Sequence, residues 1–262
     1  MIVFAAFMPH TPLLLESIGK ENRRKLKKTL EAVRRVGEGL RQAAPDAVMV
    51  ISAHPTRHAD AFSISVHDPY RADLSRFGDL GTEASFQPDL RLIDGIQRRL
   101  RRDGLPLTLD TDPALDHGAS VPLLALFAGG PAPKVVAVTY SGLDAKDHAA
   151  FGRALRDAIE AANERVAVIA SGDLSHALDD RSPVPAVPEG KAFDDAVQRA
   201  VAGLSLSQLL SLDPRDVRAA EECAYRPLLI LFGILDKIAA APHVLAYEAP
   251  FGVGYLTADF TL

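Results

Sequence analysis

Val166-Ala167-Val168-Ile169-Ala170 carries no polar side chain and runs directly into Ser171-Gly172-Asp173-Leu174-Ser175-His176. A strand that alternates apolar and polar residues can keep one face in water, whereas a strand that is apolar at every position has to be covered on both faces. The same demand recurs at residues 2–7, 47–53 and 134–140. Between these runs lie segments with helical spacing. Leu26, Leu30, Val33, Val36 and Leu40 recur at steps of three and four within 21–43, and Pro45 ends that helix. Pro88 opens a second, with Leu90, Ile93, Ile96 and Leu100 inward, and Phe151, Leu155 and Ala158 mark a third over 145–162. Buried strands alternating with amphipathic helices predict an α/β fold. The expectation is a single three-layer α/β/α domain over 1–262, around a mostly parallel or mixed sheet.

The rest of the chain fits around that frame. A short strand is expected at 61–66, a long loop at 68–87, a weak strand near Leu107 and a short helix over 122–127. Residues 179–189 are Pro-rich and read as irregular. Helices follow at 191–202, 205–212, 213–222 and 227–237, the last opened by Pro227, and strands at 244–248 and 252–260 complete the sheet.

Composition excludes some function classes. With 262 residues, 48% of them hydrophobic and 24% charged, the chain can bury a sizeable core. A net charge of -5 argues against nucleic acid or an anionic membrane as partner, and no apolar run approaches the roughly 20 residues of a membrane span. The one cysteine, Cys223, allows no intrachain disulfide, and residues 1–8 lack the basic flank of a secretion signal. A cytoplasmic protein is the expectation.

In open α/β sheets ligands bind beyond the carboxyl ends of the strands. Four of the eight histidines stand at such turns: His10 between Pro9 and Pro12, His54 before Pro55, His117 before Gly118, and His176 after Gly172. Any one of them serves equally as a turn or capping residue. Together, on mostly parallel strands, they converge on one edge. Two imidazoles and a carboxylate would make the facial triad of non-haem Fe(II) oxygenases, with open positions for substrate and dioxygen. Glu221 and Glu222 are candidates for the carboxylate, and the alternative for them is an exposed pair at a helix junction.

Pro9-His10-Thr11-Pro12, Ser52-Ala53-His54-Pro55, Leu115-Asp116-His117-Gly118 with Val121-Pro122-Leu123, and Ser171-Gly172-Asp173-Leu174-Ser175-His176 resemble, in order and spacing, the signature segments of the class III extradiol ring-cleavage dioxygenases, catalytic B-subunit superfamily. Asp73-Leu74-Ser75-Arg76-Phe77-Gly78 and Pro250-Phe251-Gly252-Val253-Gly254-Tyr255 are also similar to that family. The resemblance implies His10 and His54 as Fe(II) ligands, His176 as the acid-base residue, and His117 as a group orienting substrate or oxygen. It implies a third ligand within Glu221-Glu222-Cys223; Glu222 is the expected one, with Glu221 and Cys223 as alternatives. Cys223 falls where the related Memo-like branch has a cysteine. Asp116 and Asp173 are candidate partners of the histidines.

The implied activity is opening of a catechol- or 2-aminophenol-like ring by O2, with a small aromatic substrate, no nucleic acid or membrane partner, and a homo-oligomeric assembly. Two rival readings stand beside it. One is a hydrolase with Zn2+ on the same histidines. The other is a Memo-like metal-binding protein that cleaves no ring.

Overall fold

The computed structural model describes residues 1–54, 58–127 and 130–262. Pro55, expected to stiffen the His54 turn, lies outside the described residues. The strands are β1 (Ile2–Met8), β2 (Ala47–Ser52), β3 (Phe62–Ser65), β4 (Tyr70–Ala72), β5 (Ser85–Phe86), β6 (Leu107–Asp110), β7 (Ala114–Leu115), β8 (Lys134–Thr139), β9 (Val166–Ser171), β10 (Ala241–Glu248) and β11 (Tyr255–Thr261). The helices are α1 (Glu16–Gly19), α2 (Lys27–Ala43), α3 (Leu90–Arg102), α4 (His117–Phe127), α5 (Ala145–Ala161), α6 (Pro188–Ala202), α7 (Leu206–Leu210), α8 (Pro214–Ala219) and α9 (Tyr225–Leu235).

Eight strands form one mixed sheet in the order β10-β11-β1-β9-β2-β8-β3-β6. Its centre is parallel, because the apolar strands β1, β9, β2 and β8 each return through a helical crossover. The outer strands β10, β11 and β3 run antiparallel to their inner neighbours. Alternation along the central strands sends side chains to two separate cores. Ala5, Phe7, Met49, Ile51, Val136 and Val168 meet α3, α5 and α9, while Phe4, Ala6, Met8, Val48, Val50 and Ile169 meet α2 and α4. This two-sided burial is the three-layer arrangement that the apolar strands demand. Each branched side chain fully buried this way contributes about 1.5–3 kcal/mol.

Three expectations are corrected. The segment 68–87 is not a bare loop: β4 pairs with β5 on one side and β7 on the other in a second, three-stranded sheet, anchored by the buried Tyr70. Leu90 is 45% exposed and Leu92 takes its place in the core, because the Asp89 side chain accepts from Leu92 N and starts α3 after Pro88. α4 begins at His117 rather than at Pro122, which lies inside it. No helix among the described residues is long and apolar enough to cross a membrane.

Candidate metal centre and cleft

The carboxyl ends of β1, β2 and β9 lie side by side, with Met8 paired to Ser171 and Ile51 to Ala170. This alignment brings the segments after them together. His10 Nε2 stands 3.1 Å from His54 Nε2 and 3.4 Å from the Sγ of Cys223. The three donor atoms all lie within 4.8 Å of one another, a group that can hold a metal ion. Two imidazole nitrogens at 3.1 Å need a hydrogen or a cation between them, so this donor set fits a metal.

Cys223 is held there by the β9 turn. Its N donates to the Asp173 carbonyl at 3.1 Å, and its Sγ accepts from Asp173 N at 3.2 Å. Residue 172 has to be glycine for this approach, since a Cβ would lie 2.5 Å from the Ala224 Cα. The expected third ligand, Glu222, is not brought to the histidines. Its Oε2 accepts from Tyr225 N at 2.6 Å and so caps the first turn of α9, a use that the exposed N–H groups of a helix start invite. Glu222 and Glu221 instead line a separate cavity of about 560 Å3 with Arg218 and Arg226.

The hydrogen bonds around His10 fix its tautomer. Pro122 has no N–H, so the Gly118 carbonyl lacks its helical donor, and the Ser171 hydroxyl donates to it instead. With its hydrogen committed, Ser171 Oγ accepts from His10 Nδ1 at 3.4 Å. The Nε2 lone pair therefore faces Cys223 and His54. Burial pushes the His10 pKa well below the ordinary value, helped by His54 and His117. His54 is lowered to about 4, by burial first and then by His117 and His176. Both rings are thus neutral at pH 7, the form in which an imidazole can hold a metal. Burial holds the Cys223 thiol well above its ordinary pKa, so in the metal-free chain it is protonated.

Two more histidines border the group. His117 stacks on His54 with ring centroids 4.2 Å apart and meets Phe77 edge-on at 5.0 Å. Burial and the Arg76 charge lower its pKa. His176 Nδ1 donates to the Glu221 carbonyl, which leaves Nε2 unprotonated in the neutral ring. Glu221 presents that carbonyl from a left-handed backbone, φ 50°, a conformation costly for a residue other than glycine. Burial lowers the His176 pKa, opposed by its bond to Glu221.

Both candidate aspartates are engaged. Asp173 accepts from His10 N at 3.1 Å and burial raises it to about 7, while Asp116 binds Ser52 Oγ and Gly118 N and is raised by burial to about 6. A cleft of about 300 Å3 opens beside the donors, lined by His54, His117, Asp73, Arg76, Phe77 and Asp116 among others. The sequence pointed to Arg76 and Phe77 only through their segment. Asp194 and Tyr247, which pack behind the His176 turn, gave no signal there, being one of two adjacent acids within a helix and a strand residue.

The chain matches, over residues 4–258, the family described as the catalytic LigB subunit of aromatic ring-opening dioxygenase. It is 26% identical over 257 residues to Protein CA_C1420 of Clostridium acetobutylicum, covering 95% of this chain but only 55% of that relative. It is 28% identical over 212 residues to the 4,5-DOPA dioxygenase extradiol of Beta vulgaris, covering 78% of this chain and 74% of the relative. The crystal structure of the uncharacterized protein JW3007 of Escherichia coli K12 has the same fold, with a TM-score of 0.68 at 19% identity and coverage of 99% of this chain and 100% of that one.

Proposed function

Because the chain belongs to the family of catalytic LigB subunits of aromatic ring-opening dioxygenases, we propose that it opens the ring of a catechol- or 2-aminophenol-like aromatic with O2. The metal would be Fe(II) held by His10, His54 and Cys223. The observation that carries this reading is the convergence of those three donors beside a cleft lined by His54 and His117. A bound metal lowers the pKa of a substrate hydroxyl and brings substrate and dioxygen together.

The chain's own residues supply the rest. His176, with Nε2 unprotonated, takes the hydroxyl proton and later returns it to the product. His117 and Phe77 offer ring faces and edges to an aromatic guest. Asp73 is turned onto Ser75 N and Asp116 onto Ser52 and Gly118. Arg76, beside Asp73, is the cation among the described residues that line the cleft and would meet a substrate carboxylate. The name of the Beta vulgaris relative makes DOPA the first compound to assay.

Cys223 favours a second reading. Thiolate with imidazole is a donor set that also suits zinc, and a metal-binding protein of the Memo-like kind would use it without cleaving rings. One experiment separates the two. The full chain is loaded anaerobically with Fe(II) or Zn2+, then given O2 and a panel of catechols and 2-aminophenols with and without a carboxylate. Ring opening predicts O2 uptake matched by a yellow product with Fe(II) only. Metal binding with no O2 uptake on any compound rejects it and leaves the second reading.

A further inference from the structure

We infer that Asp194 is a positioning residue for His176, acting through Ser175 and braced by Tyr247. Asp194 lies on α6, 0% exposed. One carboxylate oxygen accepts from Ser175 N at 2.8 Å and the other from the Tyr247 hydroxyl at 2.6 Å. The chain at residue 254 passes so close that a Cβ there would lie 2.0 Å from Asp194 Oδ2, so glycine is required for the carboxylate to reach the turn. Gly254 itself pairs with the turn, accepting from Leu174 N at 2.8 Å and donating to the Ser175 carbonyl at 2.9 Å. His176 N and Ser175 Oγ both donate to the Ala220 carbonyl at 3.0 Å.

Three separate parts of the chain therefore grip residues 174–176, and Asp194 is the ionisable side chain among the groups that do so. An apolar residue at 194 would avoid burying a carboxylate but would leave Ser175 N without an acceptor. The grip keeps the Nδ1 of His176 on the Glu221 carbonyl and its Nε2 free. Second-sphere acceptors of this kind fix a histidine's tautomer and orientation. The role in turnover rests on the ring-opening reading above; the geometric role does not.

The test is imidazole 15N NMR of the metal-free full chain with labelled histidine, for wild type, Asp194→Ala, Asp194→Asn and Tyr247→Phe. Wild type holds His176 as the Nδ1–H tautomer. Asp194→Ala moves most of it to Nε2–H, and Asp194→Asn, which still accepts from Ser175 N, restores the wild-type state. Tyr247→Phe shifts the population in the same direction by less, and carries the test if Asp194→Ala does not fold. Zinc stoichiometry stays the same in all four. With an active substrate, Asp194→Ala lowers kcat about tenfold or more while KM changes less than about twofold. A His176 signal identical to wild type in Asp194→Ala, or in Tyr247→Phe where that variant stands in, overturns the proposal. If no aromatic is turned over by any form, ring opening fails alone and the tautomer shift still decides the role of Asp194.

Discussion

At the scale of single residues the question is how a thiol comes to stand where a carboxylate was expected. Glu222 and Cys223 are neighbours, and spacing alone cannot separate them. What separates them is the start of α9, whose free N–H groups draw the Glu222 carboxylate while the Asp173 backbone holds Cys223. The histidines were legible because each follows a strand or turn signal in its own segment. The choice of third donor depends on a contact between residues 50 apart and was not. Metal binding tests it through pH. Burial keeps the Cys223 thiol protonated well above neutrality, so coordination has to displace a proton across the whole neutral range. Zinc affinity measured by competition is expected to rise about tenfold per pH unit from 6 to 8.5 in wild type and in Glu222→Gln. A glutamate ligand, raised by burial to about 7, would give a slope that levels off above pH 7. Cys223→Ser is expected to weaken zinc by more than about a hundredfold. His176→Ala keeps the metal and loses about 10²–10⁴-fold in turnover of any active substrate, the usual worth of a positioned acid-base group.

Among the elements, the central strands and long helices were readable because burial on two faces or one stripe leaves a periodic trace. The second sheet was not, because β4, β5 and β7 are two or three residues long and no period fits in so short a span. Pro122 shows an element setting chemistry at a distance: by withholding an N–H inside α4 it frees the Gly118 carbonyl for Ser171, and through Ser171 it orients His10. Pro122→Ala returns that N–H to the helix. The variant is expected to fold, with zinc affinity lowered about 10–100-fold as for other second-sphere changes. Gly172→Ala forces the β9 turn away from Ala224 and costs about 1–3 kcal/mol of stability, measured by urea denaturation, with zinc binding weakened in parallel.

Over the whole molecule, buried titratable groups tie stability to pH in opposite directions. His10, His54, His117, His148 and His176 all have lowered pKa values, mainly through burial, so the stability they allow is full above the ordinary 6.5 and is lost as pH falls below it. Asp173 and Glu222 at about 7 and Asp116 and Asp194 at about 6 are raised, so their effect runs the other way: stability falls as pH rises from about 4 through those values. Burial raises Glu164 as well, so five histidines oppose five carboxylates and the two effects largely cancel. The metal-free chain is expected to melt in one transition, with a Tm that changes little between pH 7 and pH 5; a steep climb or a steep fall across that range contradicts this balance. Bound metal needs deprotonated donors and adds a fall in Tm toward pH 5. The most direct test of the centre itself is X-ray absorption at the zinc edge of the zinc-loaded full chain. The His10-His54-Cys223 arrangement predicts one sulfur at about 2.3 Å with nitrogen at about 2.0–2.1 Å, and a first shell of nitrogen and oxygen alone would contradict it.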